Sequence, residues 1–241
     1  MIQRIAKSNA LIAAAVQLRP GDSIEHSLNN AFVMIQRAVD KGAELVVLPE
    51  NFAHLGCDNF NVIGQAESTP QGVVRQFLSN QARQQNIWLV AGTLPISDAG
   101  GSKPFARSLL FDPQGKQCSS YDKIHLFDVA LDKTELSDEQ QSSYRESDNF
   151  SAGSEIVVAQ TDFCTLGMTV CYDLRFAELY RQLADADAQV VAVPAAFTAA
   201  TGRDHWELLL RARAVENQLF VIGANMVDRD HPRRGLWGGS A

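Results

Sequence analysis

The chain has 241 residues, 46% of them hydrophobic and 20% charged, an ordinary globular composition that excludes a disordered or collagen-like polymer. Lys and Arg number 21 against 28 Asp and Glu, a formal charge of −7, which argues against a nucleic-acid or membrane-surface partner. No apolar run reaches the roughly 18 residues that a membrane-spanning helix needs.

In chain order, residues 11–18 form a short apolar run that stops at Pro20-Gly21. Arg4 and Lys7 ahead of it give a faint echo of a signal peptide, but the turn favours a first buried strand. Residues 22–41 carry Ile24, Leu28, Phe32, Ile35 and Val39 at helical spacing, with Asp22 and Glu25 as a capping box and Gly42 as the stop. Residues 45–48 (LVVL) predict a fully buried strand that ends at Pro49-Glu50. A helix over 71–85 and a strand over 87–93 follow. Residues 108–112 and 116–122, joined by the turn at 113–115, predict a hairpin. Residues 132–151 are polar and aperiodic, a long loop of the kind that often carries function. Strands are predicted at 156–160, 166–171 and 190–193. A helix over 174–186 presents Phe176, Leu179, Leu183 and Ala186 on one face. A second helix covers 204–218, opening on Asp204 and Glu207, and the last strand covers 219–224. Strands alternating with helices around a central hairpin argue for a layered α/β fold with mixed sheets, in one domain spanning 1–241.

Cysteines stand at 57, 118, 164 and 171. None forms a C-x-x-C pair and no Cys/His spacing suits zinc, so they read as reduced thiols of a cytoplasmic protein with no metal. Nucleotide-binding glycine loops, H-E-x-x-H and G-x-S-x-G are all absent from the sequence. What remains is three strand ends, each offering one reactive side chain where a buried strand meets a loop.

Glu50 follows LVVLP, where partial desolvation would suit a carboxylate to base work; the plain alternative is a solvated loop residue. Lys123, in Tyr121-Asp122-Lys123-Ile124-His125, closes the hairpin, a place where lysine is usually solvated. Cys171, in Met168-Thr169-Val170-Cys171-Tyr172-Asp173-Leu174-Arg175, lies where a strand runs into a helix, whose first N–H groups can stabilise a thiolate or receive an oxyanion. The plain alternative for Cys171 is an inert buried thiol. A nucleophilic cysteine needs a base, and on residue types alone His125 or His205 competes with Glu50 for that part. Cys57, Cys118 and Cys164 lack this placement and read as structural.

Taken together, the Glu, Lys and Cys segments, followed by VPAAFTAATGRDHWELLLRARAVENQ, resemble the nitrilase superfamily of carbon–nitrogen hydrolases over nearly the whole chain. YDKIHLFDV, CYDLRFAEL and TGRDHWELLLRARAVENQ read most like its amidase branch, which includes omega-amidases and deaminated-glutathione amidases. The resemblance implies a four-layer αββα sandwich that dimerises through helices into an αββα-αββα assembly. It implies Glu50 as base, Lys123 as electrophilic stabiliser and Cys171 as nucleophile, with Tyr172 N–H completing the oxyanion site. A further family glutamate maps to Glu146, within a loop that here holds extra residues around 132–144.

The implied reaction hydrolyses a small carboxylate-bearing amide through a thioester, with no cofactor; a nitrile hydrolase with the same triad and a non-catalytic scaffold are the alternatives. Lys123 is expected to lower the thiol pKa, so that no histidine is required. Arg175, Arg203 and Lys133 are candidate anchors for the substrate carboxylate, although an ion pair of Arg175 with Asp173 or Glu178 is the simpler expectation. Phe197 and Thr198 are expected as pocket walls, Asp173 as the cap of the helix after Cys171, and Trp206 as core. Glu207, Glu216, Arg211 and Arg213 are expected to form ion pairs on their helix. The superfamily continues past the glycine-rich residues 237–240 with another strand and a tail, so a chain ending at Ala241 is expected to lack them.

Overall fold

A computed structural model describes residues 10–130, 143–230 and 235–241. Lys133 and most of the predicted 132–151 loop lie outside the described residues. The first sheet has six strands. Its parallel part is β1 (Ala13–Ala15), β2 (Leu45–Val47) and β3 (Trp88–Val90). Beyond β3 lies β5 (Phe105–Phe111), which pairs antiparallel with β3, with β4 (Leu94–Ile96) and with β6 (Gln117–Asp122). The second sheet runs β12 (Phe220–Asn225), β11 (Val190–Ala195), β10 (Thr165–Met168), β9 (Val157–Gln160), with only β9 antiparallel.

The sequence of β2 explains how the layers meet. Leu45 and Val47 join a core with Leu166, Met168, Val191 and Val193 of the second sheet. Val46 and Leu48 point the other way, into a core with Ile35 of α1 (Ile24–Val39) and Leu78 of α3 (Val73–Gln85). A strand buried on both faces reads as a continuous apolar run, and LVVL does. On the far side of the second sheet, Leu179 and Leu183 of α4 (Ala177–Asp185) and Trp206 and Leu210 of α5 (Ala199–Asn217) close the same core. Trp206 is buried as expected and donates its indole N–H to Gly239 O at 2.7 Å.

Several element boundaries depart from the sequence reading. The first strand is confined to Ala13–Ala15. Helix α1 is capped by Ser23, whose extended backbone lets its hydroxyl accept His26 N–H at 3.1 Å, so Asp22 and Glu25 form no capping box. Helix α5 begins after Thr198, which places Asp204 and Glu207 inside it and not at its start. Helix α4 starts at Ala177; the preceding residues Cys171–Arg175 wind as a 3₁₀ turn, and β10 ends at Met168. Helix α2 (Phe60–Ala66) and strand β4 carried no signal that the periodicity could detect. Within the long loop, Ser143–Arg145 forms β8, paired with β7 (Asp128–Ala130), and Glu146–Asp148 forms a second 3₁₀ turn.

Candidate active site

The carboxyl ends of strands from both sheets open on one cavity of about 300 Å³. Glu50, Lys123, Glu146 and Cys171 all line it, as do Tyr172, Arg175, Phe197 and Thr198. These eight residues singled out from the sequence therefore reach the same space, whereas Arg203, His125 and His205 do not line it.

Glu50 stands just beyond β2, and the turn behind it is tight. Gly92, just after β3, has φ +62°, and a Cβ there would come within 1.9 Å of Pro49 O. Only glycine lets the two strand ends close so tightly. Asn51 also adopts a left-handed conformation, and its amide and side chain are both tied to Thr93 Oγ1. Glu50 itself is buried, with Oε2 accepting Ala196 N–H at 2.9 Å at the end of β11.

Lys123 follows β6 and is 1% exposed. A lysine at a hairpin end is expected to be solvated, and the loop carrying Glu146 is what covers this one. Gly153 returns that loop against the hairpin: its N–H reaches Lys123 O at 2.9 Å, and a Cβ on it would lie 2.3 Å from Asp122 O. The ammonium donates to Glu50 Oε1 at 2.8 Å and to Glu146 Oε1 and Oε2 at 3.0 and 2.7 Å. One N–H can serve both Glu146 oxygens, which leaves the third for the cavity. Glu146 Oε2 also accepts Phe127 N–H at 2.7 Å.

The charges reinforce one another. Burial alone would lower the Lys123 pKa, but Glu146, Glu50 and the neighbouring thiol outweigh it and hold the ammonium above the ordinary lysine range. Burial, opposed by Lys123 and aided by Glu50, moves Glu146 upward from the usual carboxylate value.

Cys171 opens its 3₁₀ turn with φ +46°, a left-handed conformation that L residues adopt at a cost. Glu50 and Lys123 are the charged groups beside its thiol. The expectation of a lowered thiol pKa is not met. Burial first, and then Glu50, push it well above the ordinary range, and Lys123 opposes them only in part. Cys171 therefore rests as a thiol in the cavity that Glu50 also lines.

Neither His125 nor His205 lines the cavity. The Nδ1 of His125 lies 2.7 Å from Asp173 Oδ1, its ring stacks on Phe176, and it does not line the cavity. His205 faces the Arg175 guanidinium through Nδ1 at 3.3 Å. Asp173 caps the 3₁₀ turn that starts at Cys171 and not α4: its carboxylate reaches back to accept the N–H of Val170, the residue ahead of that turn.

Arg175, in the same turn as Cys171, lies over the rings of Tyr172 and Phe197 at 5.8 and 5.3 Å, and among the described residues it has no carboxylate partner. The simpler expectation of an ion pair with Asp173 or Glu178 is thus not met. Arg203 instead pairs with Asp204. Arg211 pairs with Glu207 and Arg213 with Glu216, as anticipated for their helix.

The sequence reading missed the wall formed by residues 51–58. His54 is 1% exposed, its Nδ1 has no partner, and burial lowers its pKa to about 4, so the ring is neutral at physiological pH. Cys57, read as structural, is half-buried and also lines the cavity. These residues lie in consecutive turns with no periodicity to mark them; adjacency to Glu50 was the available signal.

The carbon–nitrogen hydrolase family model matches residues 12–241. A deaminated glutathione amidase of Yersinia enterocolitica is 39% identical over 93% of this chain and 76% of its own length. Omega-amidase NIT2 of Mus musculus is 35% identical over 94% of this chain and 78% of its own. Among solved structures, the C. elegans NitFhit protein superposes with a TM-score of 0.82 at 34% identity, covering 95% of this chain. This chain spans about half of that protein, 54% of its length.

Proposed function

This chain belongs to the carbon–nitrogen hydrolase family, and we propose that within it the protein is a cysteine-dependent amidase acting on small carboxylate-bearing amides. The observation that supports this most strongly is a single ammonium, Lys123 Nζ, held between Glu50 and Glu146 in the cavity that Cys171 lines.

In this reading Glu50 takes the thiol proton of Cys171 as sulfur attacks the amide carbonyl. The C–S bond forms and the carbonyl electron pair moves to oxygen. That oxyanion is held by the free Lys123 N–H and by Tyr172 N–H, which has no intrahelical acceptor at the start of its turn. The C–N bond then breaks, its electron pair staying on nitrogen, which takes the proton from Glu50 and leaves as ammonia or an amine. A thioester remains on Cys171. Water gives a proton to Glu50 and attacks, the C–S bond breaks, and the sulfur recovers the proton. Glu146 holds Lys123 in place throughout. The products are a carboxylate and the amine, and no metal or organic cofactor takes part.

Arg175, lacking a protein carboxylate among the described residues, is the anchor for the substrate's carboxylate, with Phe197 and Thr198 as walls beside it. The substrates of the similar proteins, deaminated glutathione and omega-amides such as α-ketoglutaramate, fit this demand. The two sheets with their flanking helices are read as a one-domain αββα sandwich that pairs with a second copy, in the cytoplasm.

The test is release of ammonia or amine from α-ketoglutaramate, deaminated glutathione, succinamate, glutamine and a simple nitrile. The reading expects turnover of a carboxylate-bearing amide that disappears in Cys171→Ala. Turnover of the nitrile alone would replace it with a nitrile hydrolase, and no turnover by folded protein would replace it with a scaffold.

A further inference from the structure

We propose that Asp173 is a positioning residue whose buried carboxylate fixes the lysine-bearing arm against the cysteine-bearing elbow. The proposal rests on the amidase reading for its kinetic consequence and on geometry for its basis.

Asp173 is fully buried, and its side chain accepts four hydrogen bonds. Oδ2 takes Tyr121 O–H at 2.8 Å and Val170 N–H at 2.8 Å. Oδ1 takes His125 N–H at 3.0 Å and lies 2.7 Å from His125 Nδ1. Tyr121 and His125 flank Lys123 two residues on either side, while Val170 is bonded directly to Cys171. The tyrosine oxygen in turn accepts Ile124 N–H at 3.3 Å, adding a fifth link on the lysine side. One carboxylate therefore grips both segments that must meet for chemistry, and they come from different sheets.

The elbow needs such a grip. Cys171 is held at φ +46°, a conformation that persists only where its surroundings over-determine it. Asp173 N–H bonds Val170 O at 3.0 Å while the Asp173 side chain bonds Val170 N–H, so both backbone groups of the residue before Cys171 are fixed. Asp173 reaches Cys171 through the backbone of Val170, the residue bonded to it.

Asn is close to Asp in shape but has one acceptor oxygen. Tyr121 O–H and a neutral His125 can exchange donor for acceptor, but the two backbone N–H groups cannot. Asp173→Asn therefore leaves either Val170 N–H or His125 N–H facing another donor.

The experiment pairs kinetics with crystal structures of Asp173→Asn and Tyr121→Phe. The proposal expects kcat to fall about 10²-fold in Asp173→Asn with KM little changed, the scale of a misplacement near 1 Å. It expects a smaller fall in Tyr121→Phe, which removes one link and serves if Asp173→Asn does not fold. It also expects crystals of the variant to show the Lys123 arm displaced from Cys171, a result that needs no substrate. Unchanged kcat with only a lower melting temperature would reduce Asp173 to a fastener of the fold. A fallen kcat in a superimposable structure would assign it an electrostatic part instead, and either result overturns the proposal. Absence of turnover in the wild type would remove the amidase reading, yet the structures would still decide the positioning role.

Discussion

Lys123 is a buried cation between two carboxylates of the site. Its 1% exposure and its contacts to two carboxylates make it a buried ion cluster, in which removing one partner is costly. Lys123→Met should destabilise the fold by about 3–5 kcal/mol in denaturant unfolding, because Glu50 and Glu146 are left facing each other without a counter-ion. It should also lower kcat/KM by more than the 10²–10³-fold typical of losing one oxyanion donor. For Cys171 the sign of the pKa shift sets a pH prediction. A raised pKa keeps the thiol protonated at pH values where an ordinary cysteine, near 8.5, has ionised. Iodoacetamide labelling of Cys171 without substrate should therefore keep accelerating above pH 9; a plateau at or below pH 8 would contradict it. Arg175→Gln should raise KM for carboxylate-bearing amides about 10- to 100-fold, the worth of one charge-assisted hydrogen bond, and leave propionamide unaffected.

At the scale of elements, the site depends on close approaches that only particular residues permit. Gly92→Ala would place a methyl group 1.9 Å from Pro49 O at φ +62°, and must shift the strand end that carries Glu50. Gly100 also has positive φ, but nothing lies within 4 Å of its Cβ position, so Gly100→Ala carries only the backbone cost of about 1–2 kcal/mol. Paired melting curves and amidase assays should therefore show a larger stability loss and a loss of kcat for Gly92→Ala alone. The same elements show what was legible in the sequence. Strands β2, β10 and β11 announced themselves as apolar runs because both their faces are buried. Glu50 and Cys171 could be found because each follows such a run, whereas Lys123 follows the polar strand β6 and was marked only by the hairpin's end. Helix starts were less legible, since Ser23 and Thr198 compete with Asp22 and Asp204 by backbone conformation, which residue type does not encode. Asp173 was legible only as a local cap, for a similar reason: its partners Tyr121 and His125 are 52 and 48 residues away, and no local pattern carries that pairing.

For the whole molecule, α5 and the start of β12 carry exposed apolar side chains. Leu208 and Val215 are 64% and 79% exposed on α5, seven residues apart and so on one side of the helix, and Phe220 at the start of β12 is 77% exposed. This is where the proposed second copy would be accommodated. Replacing Leu208 and Val215 together by Glu should convert a dimer to a monomer in sedimentation velocity, and a wild-type monomer at micromolar concentration would contradict the assembly. The layered architecture was readable from alternation alone, whereas the cavity was not. Its walls come from the ends of two sheets and from residues 51–58, and tertiary packing brings these together from positions far apart in the chain.

The central claim is that Cys171 is acylated while Glu50 and Lys123 manage the proton and the oxyanion. Its most direct test is acid-quenched intact-mass and peptide-mapping mass spectrometry on protein turning over α-ketoglutaramate or deaminated glutathione. The account predicts an acyl adduct on the peptide containing Cys171, absent in Cys171→Ala together with all product release. An adduct on Cys57, or sustained hydrolysis by Cys171→Ala, would contradict it.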